Sequence, residues 1–280
     1  MTNTSHPRAR KPASAAKAPA ARPADTKPAE AKSAAVVASG WMHTARFLTT
    51  APQLHHLPPL DVPEIAFVGR SNAGKSTCIN TLTQQKQLAY ASKKPGRTQN
   101  INLFSLGKQG VTDAVLADLP GYGYAAVPKA DKVRWQQVMA NYLVTRENLT
   151  GIVMMCDPRH GLTELDEILL DIIRPRVVDG LKFLILLTKA DKLNREEATK
   201  ALSIARLQAG GGEVKLFSAL KKQGIDEASM LLWQWAHPPA KVGAELSADS
   251  AEAALGAPEE LEELEELEEP EDLDPPEKPH

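Results

Sequence analysis

Residues 65–77 read Ile65-Ala66-Phe67-Val68-Gly69-Arg70-Ser71-Asn72-Ala73-Gly74-Lys75-Ser76-Thr77. Apolar residues lead directly into the pattern Gly-x-x-x-x-Gly-Lys-Ser, and a helix-compatible stretch, Thr77 to Leu82, follows it. A phosphate-binding P-loop requires this order of strand, loop and helix. Its two glycines permit a tight turn in which successive N–H groups point at one anion, and the N-terminus of the helix adds positive potential. We therefore expect Lys75 to reach the β- and γ-phosphates of a nucleotide and the Ser76 hydroxyl to ligate Mg²⁺.

A second phosphate-site element follows a later apolar run. Asp118-Leu119-Pro120-Gly121 stands at the end of the predicted strand Ala114–Leu119. An aspartate there can hold Mg²⁺ through water, and the amide of Gly121 can contact the γ-phosphate. A plain turn at the end of a strand also favours Asp, Pro and Gly. The distance from the P-loop favours the phosphate role.

The sequence Thr188-Lys189-Ala190-Asp191 directly follows another apolar run, Phe183–Leu187, and can select the base. The Asp191 carboxylate can accept two hydrogen bonds, from the N1–H and the N2 amine of guanine. Adenine offers no such pair of donors and would leave a buried charge unpaired. The Lys189 stem can cover the plane of the base, and a backbone N–H in Ser218-Ala219-Leu220 can meet guanine O6. The expected nucleotide is therefore GTP.

Apolar runs alternate with helix-length segments through the middle of the chain. The predicted strands are Ile65–Val68, Ile101–Leu106, Ala114–Leu119, Ile152–Cys156, Phe183–Leu187 and Val214–Phe217. The predicted helices are Trp41–Leu48, Thr77–Leu82, Lys129–Glu147, Glu164–Arg174, Arg195–Leu207 and Ile225–Trp235. This alternation indicates an α/β P-loop NTPase fold, a three-layer sandwich whose mostly parallel six-stranded sheet has helices on both faces. The second and third strands, joined by a short Gly-containing turn, are expected to pair as a hairpin.

The two ends of the chain differ sharply in charge although the net charge is −2. Residues 1–40 hold seven Lys and Arg and two acidic residues, whereas residues 241–280 hold two Lys and fifteen Asp and Glu. Neither end has the periodic apolar content that offsets the entropy of ordering. We predict a disordered basic Ala/Pro-rich tail (1–40), one G domain (41–237) and a disordered acidic tail (238–280). The leucines near the C-terminus recur every three residues, so they do not form the seam of a coiled coil.

Composition limits where the protein acts. No apolar run approaches the roughly 18 residues needed to span a membrane, and residues 1–34 lack the apolar centre of a secretory signal. An organellar transit peptide is the alternative for this Ala- and Arg-rich start, and its prolines argue against that. Cys78 and Cys156 have no metal-ligand spacing and are expected to be reduced core residues. We expect a cytoplasmic monomer without membrane contact.

These motifs together resemble those of the EngB/YihA/YsxC group of bacterial ribosome-biogenesis GTPases. The resemblance covers residues 41–237, and its most specific mark is the run Gly121-Tyr122-Gly123-Tyr124-Ala125. The other matching stretches are the P-loop, Pro95-Gly96-Arg97-Thr98-Gln99, Asp118-Leu119-Pro120-Gly121, Thr188-Lys189-Ala190-Asp191-Lys192-Leu193 and Ser218-Ala219.

The resemblance implies a GTP/GDP-binding switch that hydrolyses GTP weakly, assists assembly of the large ribosomal subunit and is needed for normal cell division and septation. It implies Mg²⁺ held by Ser76, Asp118 and the switch I residue Thr98, with switch II running from Asp118 to about Lys129. The implied nucleotide-contacting residues are Gly69, Arg70, Ser71, Asn72, Ala73, Gly74, Lys75, Ser76, Thr77, Gly96, Arg97, Thr98, Asp118, Leu119, Pro120, Gly121, Thr188, Lys189, Ala190, Asp191, Phe217, Ser218 and Ala219.

The residues that would assist hydrolysis depart from the Ras-like pattern. Tyr122 stands where other GTPases place the Gln that orients the attacking water, so slow intrinsic hydrolysis is expected, with help from the ribosome or K⁺. The resemblance implies that Asn72 coordinates K⁺ near the phosphates, where a cation neutralises charge. The alternative is that Asn72 only stabilises the loop. The catalytic candidates are Lys75, Thr98, Gly121 and Asn72.

A basic surface near the switches suits ribosomal RNA. It consists of Lys93, Lys94, Arg97, Lys129, Lys132 and Arg134. The alternative is an ordinary set of solvated lysines, and Arg97 can serve either RNA or nucleotide. Two other function classes stay open: a P-loop phosphotransferase, which the Asp191 motif disfavours, and a GTP-dependent RNA-binding scaffold with negligible hydrolysis.

Overall fold

One mixed sheet forms the middle layer of the protein. The computed structural model describes residues 28–90, 100–123 and 129–239, and within them the sheet has seven strands. The strands are β1 (Arg46–Ala51), β2 (Glu64–Gly69), β3 (Ile101–Leu106), β4 (Ala114–Asp118), β5 (Leu149–Cys156), β6 (Lys182–Leu187) and β7 (Glu213–Leu216). They lie in the order β1-β3-β4-β2-β5-β6-β7. The pairings from β4 through β7 are parallel, and β3 pairs antiparallel with both β1 and β4.

Helices cover both faces of this sheet. They are α1 (Pro28–Met42), α2 (Lys75–Leu82), α3 (Lys129–Thr145), α4 (Glu164–Val178), α5 (Arg195–Ala209) and α6 (Ile225–Ala236). The first core layer contains residues of α1, α2 and α6, and the second contains residues of α3, α4 and α5. This three-layer arrangement confirms the predicted α/β P-loop NTPase class.

Strand β2 shows why its sequence is apolar throughout. Ala66 and Val68 point into one core layer, whereas Ile65 and Phe67 point into the other, and all four are fully buried. A parallel strand in the centre of a covered sheet is buried on both faces, so it needs a continuous apolar run. Because the same strand leads directly into the P-loop, that loop lies at the carboxyl end of the central strands.

The predicted count of six strands is wrong, because β1 adds an antiparallel edge strand beside β3. The predicted helix Trp41–Leu48 is also wrong beyond Met42, since α1 ends at that residue and β1 begins at Arg46. Only Ala51 of β1 is buried, so the strand has none of the apolar alternation that would predict it. Pairing with β3 holds it instead, aided by a hydrogen bond of 2.8 Å from Thr50 Oγ1 to Asn102 Oδ1.

Residues 28–40, predicted as part of a disordered tail, belong to α1. The helix is ordered because Ala38, Trp41 and Met42 are buried, and α1 packs against α6. The Trp41 indole Nε1–H also donates to Asp113 Oδ1 at 2.9 Å. All elements given above lie in a compact unit that ends at Pro238. The other domain bounds stay a prediction.

The topology places the sequence motifs together. In the parallel part of the sheet, the carboxyl ends of β2, β4, β5 and β6 lie at one edge. Loops that follow parallel strands at such an edge form the ligand crevice of open α/β sheets. The P-loop, Asp118 and the Thr188–Asp191 segment each follow one of these strands.

Candidate functional site

The loop between β2 and α2 offers backbone N–H groups to an anion. Asn72 and Gly74 have positive φ angles of 65° and 97°, a region that Gly and Asn occupy more readily than other residues. Among the described residues, neither of their N–H groups donates to a carbonyl. Gly74 also caps the N-terminus of α2, whose first-turn N–H groups have no partner within the helix. The loop is therefore suited to phosphate oxygens.

A buried ion pair stands beside this loop. Lys75 Nζ lies 2.6 Å from Asp118 Oδ1, and their side chains are only 7% and 1% exposed. Ser76 Oγ lies 3.4 Å from Asp118 Oδ2. The structure thus brings together the predicted phosphate-binding lysine and two of the three predicted Mg²⁺ ligands. Hydroxyl and carboxylate oxygens are the donors that Mg²⁺ prefers, so these residues fit the ion.

Gly121 packs directly against the P-loop. A Cβ atom at this position would lie 3.0 Å from Ser71 Cα and 3.1 Å from Ser71 N, closer than side chains normally approach. The Ser71 N–H donates to the Tyr122 carbonyl at 2.8 Å. The start of the predicted switch II is therefore in contact with the phosphate loop, which explains the need for glycine. Leu119, next to Asp118, is fully buried and anchors this turn together with Pro120.

Tyr122 is directed into the protein. Its hydroxyl donates to Asp166 Oδ1 at 2.5 Å, and the ring is only 8% exposed. Asp166 Oδ2 accepts from the backbone N–H and the hydroxyl of Thr163, at 2.8 and 2.7 Å, at the N-terminus of α4. Burial, together with the Asp166 carboxylate, raises the pKa of Tyr122 well above its usual value. The phenol therefore keeps its proton, which it donates to Asp166 of α4, and it is not available as a base.

The Thr188–Asp191 segment binds the P-loop as well as facing the predicted base site. Thr188 Oγ1 lies 2.7 Å from the Ala73 carbonyl and 3.1 Å from the Cys156 carbonyl. The Lys189 ammonium donates to the Asn72 carbonyl at 3.0 Å. These contacts connect the predicted base-selecting loop to the phosphate loop, so the two halves of the site are held as one unit.

A cavity of about 470 Å³ opens between these two loops. It is lined by Gly74, Thr77, Thr188, Lys189, Asp191, Phe217, Ala219 and Leu220. Asp191 Oδ1 accepts a hydrogen bond of 2.6 Å from Ser218 Oγ, and this bond lowers the pKa of the Asp191 carboxyl. The N–H of Ala219 donates to no described residue. An ionised carboxylate and an available N–H are the two groups that guanine recognition requires here.

Sequence reasoning missed Asp157 and Arg159, which contact the predicted site residue Lys189 directly and through Asp157, respectively. Asp157 accepts hydrogen bonds from Lys189 Nζ at 3.0 Å and from Arg159 Nε and Nη2 at 2.9 and 2.7 Å. The available signal was its place directly after β5, at the same sheet edge as the other site residues. A single aspartate followed by proline matched no nucleotide-binding pattern, so its contact with Lys189 was visible only in the fold.

Comparison with known proteins identifies the family. A family model described as a 50S ribosome-binding GTPase matches residues 64–189. A probable GTP-binding protein EngB of Albidiferax ferrireducens is 85% identical over 202 residues, which cover 72% of this chain and 98% of that protein. The corresponding protein of Polaromonas sp. is 71% identical over 238 residues, 85% of this chain and 92% of its own length.

The chain belongs to the EngB family of GTP-binding proteins. Like other members of that family, it binds guanine nucleotide and is a GTPase. The resemblance drawn from its motifs is thereby confirmed.

Solved structures support the fold. A crystal structure of a probable GTP-binding protein engB has a TM-score of 0.50 at 20% identity and covers 62% of this chain and 98% of that protein. Era, crystallised with MgGDPNP and nucleotides 1506–1542 of 16S ribosomal RNA, has a TM-score of 0.51 at 22% identity, covering 63% and 57% of the two chains. At such identities the likeness shows the fold alone.

Part of the predicted EngB site lies outside the described residues. Gly96, Arg97 and Thr98 belong to this group, as do Lys93 and Lys94 of the predicted basic surface. Within the described residues, no helix combines the length and the apolar character needed to cross a membrane.

Proposed function

We propose that this EngB-family protein is a magnesium-dependent switch that hydrolyses GTP slowly and assists assembly of the large ribosomal subunit, so that normal cell division depends on it. The observation that carries the proposal is the contrast at the phosphate site. Lys75, Ser76 and Asp118 lie together there, whereas Tyr122, in the position of the water-orienting Gln, is held by Asp166.

The nucleotide would extend from the P-loop to the Asp191 cavity. Residues Gly69–Thr77 would hold the phosphates, with Lys75 neutralising their charge. Asp191 would accept from guanine N1–H and the N2 amine, and Ala219 N–H would donate to O6, with Phe217 and Ser218 supporting that wall. Gly96, Arg97 and Thr98 would complete the phosphate end from switch I.

Magnesium would be held by Ser76, Asp118 and Thr98. When bound, the ion supplies charge neutralisation for the phosphates. Asp118 is placed for this role by β4, since it is the last residue of that strand and pairs in register with Phe67 of β2. The Lys75 ammonium, 2.6 Å from Asp118 Oδ1, offsets part of the cost of burying this carboxyl group beside the P-loop.

Slow hydrolysis follows from the residues that face the phosphates. Gly121 can supply a backbone N–H there, but the Tyr122 hydroxyl is occupied by Asp166. In other GTPases a glutamine side chain orients the attacking water. A group supplied from outside, either K⁺ or the ribosome, would therefore raise the rate.

Asn72 is the proposed K⁺ ligand. Its side chain is exposed and makes no hydrogen bond to the described residues. Its φ of 65° also supports the alternative, in which Asn is present because it tolerates a left-handed loop position. These two roles can be separated, because Gly tolerates the same φ without supplying an oxygen ligand.

Support for the ribosomal partner comes from the family description, 50S ribosome-binding GTPase, and from the basic residues near the switches. The test is GTP hydrolysis by the purified protein in K⁺ and in Na⁺ buffer, each with and without large ribosomal subunits. We expect faster turnover with K⁺ or with subunits. Negligible turnover in all four conditions, with GTP still bound, would favour the RNA-binding scaffold, and absence of GTP binding would contradict the proposal entirely.

The role of Asn72 is tested by Asn72→Gly beside Asn72→Ala. We expect Asn72→Gly to bind GDP normally and to lose any K⁺ stimulation, since it keeps the loop conformation and removes the ligand. Asn72→Ala should lose stimulation and also weaken GDP through backbone strain. K⁺ stimulation that persists in Asn72→Gly would refute the assignment.

A further inference from the structure

Lys189 separates two cavities of different character. One is the cavity of about 470 Å³ that contains Asp191. The other, about 250 Å³, is the more polar of the two, and its lining includes Asn72, Asp157 and Arg159. Lys189 lines both cavities. Its position therefore determines the shape of the proposed guanine site.

Two groups that line the smaller cavity hold the Lys189 ammonium in place. It lies 3.0 Å from Asp157 Oδ2 and 3.0 Å from the Asn72 carbonyl oxygen. Asp157 is fixed in turn, because Arg159 donates two guanidinium hydrogen bonds and its backbone N–H to the carboxylate. A chain of contacts thus runs from Arg159 through Asp157 and Lys189 to the P-loop.

The charge state of Asp157 suits this role. Partial burial opposes its ionisation, but the hydrogen bonds from Arg159 and Lys189 outweigh that effect and hold the pKa of the carboxyl well below its usual value. Asp157 is therefore a carboxylate throughout the pH range in which nucleotide binding is measured. The Lys189 side chain is 38% exposed, so without this carboxylate its long stem would be free to move into solvent.

We propose that Asp157 is a positioning residue for guanine nucleotide binding, which holds Lys189 against both the base cavity and the P-loop. Asp157 itself does not touch the nucleotide. Arg159 acts one step further out, since it orients the carboxylate. The inference rests on the proposed guanine site, and it adds a residue that the nucleotide-binding motifs do not contain.

The experiment measures the dissociation constant and dissociation rate of N-methylanthraniloyl-GDP on the full chain. We expect Asp157→Asn to weaken binding by about tenfold, mainly through faster dissociation, as for other closely coupled contacts. Lys189→Met keeps the stem and removes the ammonium, so it should weaken binding comparably. Asp171→Asn is the matched control, because Asp171 pairs with Arg174 on the exposed face of α4, and it should leave binding unchanged.

The double variant decides between positioning and a general structural effect. If Asp157 acts through Lys189, adding Asp157→Asn to Lys189→Met should weaken binding by less than about twofold further, because the contact is already lost. An undiminished effect of Asp157→Asn in the Lys189→Met background would overturn the proposal, and so would wild-type affinity in the single Asp157→Asn variant.

Arg159→Ala keeps the proposal testable if Asp157→Asn does not fold, since Arg159 is exposed. It should weaken binding by about threefold in the wild-type background and not at all with Lys189→Met, and an equal loss in both backgrounds would overturn the proposal. Asp191→Asn separates a failure of the Asp157 role from a failure of the proposed guanine site. If it weakens binding while Asp157→Asn does not, only the present inference fails, whereas if neither does, the guanine site itself is misassigned.

Discussion

Strand β2 has a buried ion pair near each end, and the two pairs differ in how completely their charges are satisfied. At the amino end, the Glu64 carboxylate accepts from the Tyr142 hydroxyl and from Arg146 Nε and Nη2. At the carboxyl end, Lys75 and Asp118 share one contact of 2.6 Å, and the N–H groups of Asn72 and Gly74 in the adjoining P-loop donate to no described carbonyl.

The difference separates a structural charge from a functional one. Glu64 is fully buried, and its two oxygens are used by groups of α3 and the residues that follow it. A buried charge with all its hydrogen bonds made fixes the packing of neighbouring elements and has little capacity for a ligand. The Lys75 ammonium has three donors, so it can bind phosphate while it still faces Asp118.

The largest expected effect is on stability, from Glu64→Ala. The change leaves the Tyr142 hydroxyl and the Arg146 guanidinium without their acceptor and should lower the free energy of unfolding by about 4 kcal/mol. Urea unfolding measures it, with the exposed Glu147→Ala as a control that should change little. GDP affinity of the folded variant should stay normal.

If Glu64→Ala does not fold, Glu64→Gln provides the same comparison with a smaller loss, because an amide oxygen can still accept. A loss of GDP affinity larger than the loss of stability would contradict the structural role of Glu64.

Lys75→Ala should mainly lower nucleotide affinity, whereas Glu64→Ala mainly lowers stability. Removing the ammonium should weaken GDP and GTP by about 3 kcal/mol, roughly 100-fold, because a charge-assisted contact to phosphate is lost. Equilibrium titration measures the affinity, and Lys86→Ala, at an exposed lysine, is the control. Unchanged nucleotide affinity in Lys75→Ala would contradict the proposed role of Lys75 in phosphate binding.

The two ends of β2 also differ in how far the sequence predicts them. The P-loop is predictable because its glycines, Lys75 and Ser76 are close together in the chain, at the fixed spacing of a phosphate-binding pattern. The partners of Glu64 are Tyr142 and Arg146, which are far away in the chain and belong to no local pattern. Asp157 was missed for the same physical reason, since its contact with Lys189 depends on how β5 and β6 are aligned.

The fold shows the same limit. Buried central strands such as β2 and β5 are apolar on both faces and could be predicted directly. The edge strand β1 has only Ala51 buried, so its sequence lacks the apolar alternation by which a half-buried strand is predicted. Residues 28–40 of helix α1 were not predicted as helical because the buried residues of α1 lie near its end, and its partner α6 is distant in sequence. Tertiary contacts determine both elements.

A smaller loss of affinity is expected from Asp191→Asn. Replacing the carboxylate removes one charge-assisted hydrogen bond to guanine and should weaken GTP by about 2 kcal/mol, roughly 30-fold. ITP lacks the N2 amine, so the preference for GTP over ITP should also fall. Competition titrations with both nucleotides measure this, and Asp179→Asn, at an exposed residue, should not change the preference. Retained GTP affinity would show that Asp191 does not select the base.

The smallest effect is expected from Tyr122→Phe, and it decides to which class of buried polar group Tyr122 belongs. The change removes one hydrogen bond to Asp166, whose other oxygen still accepts from Thr163. The free energy of unfolding should therefore fall by about 1 kcal/mol. The rate of GTP hydrolysis should change by less than about threefold, because less than about 1 kcal/mol of the barrier is involved. A tenfold loss of rate with unchanged stability would place the Tyr122 hydroxyl in the chemistry. The predicted outcome would instead group it with Glu64, as a contact that fixes the start of the predicted switch II on α4.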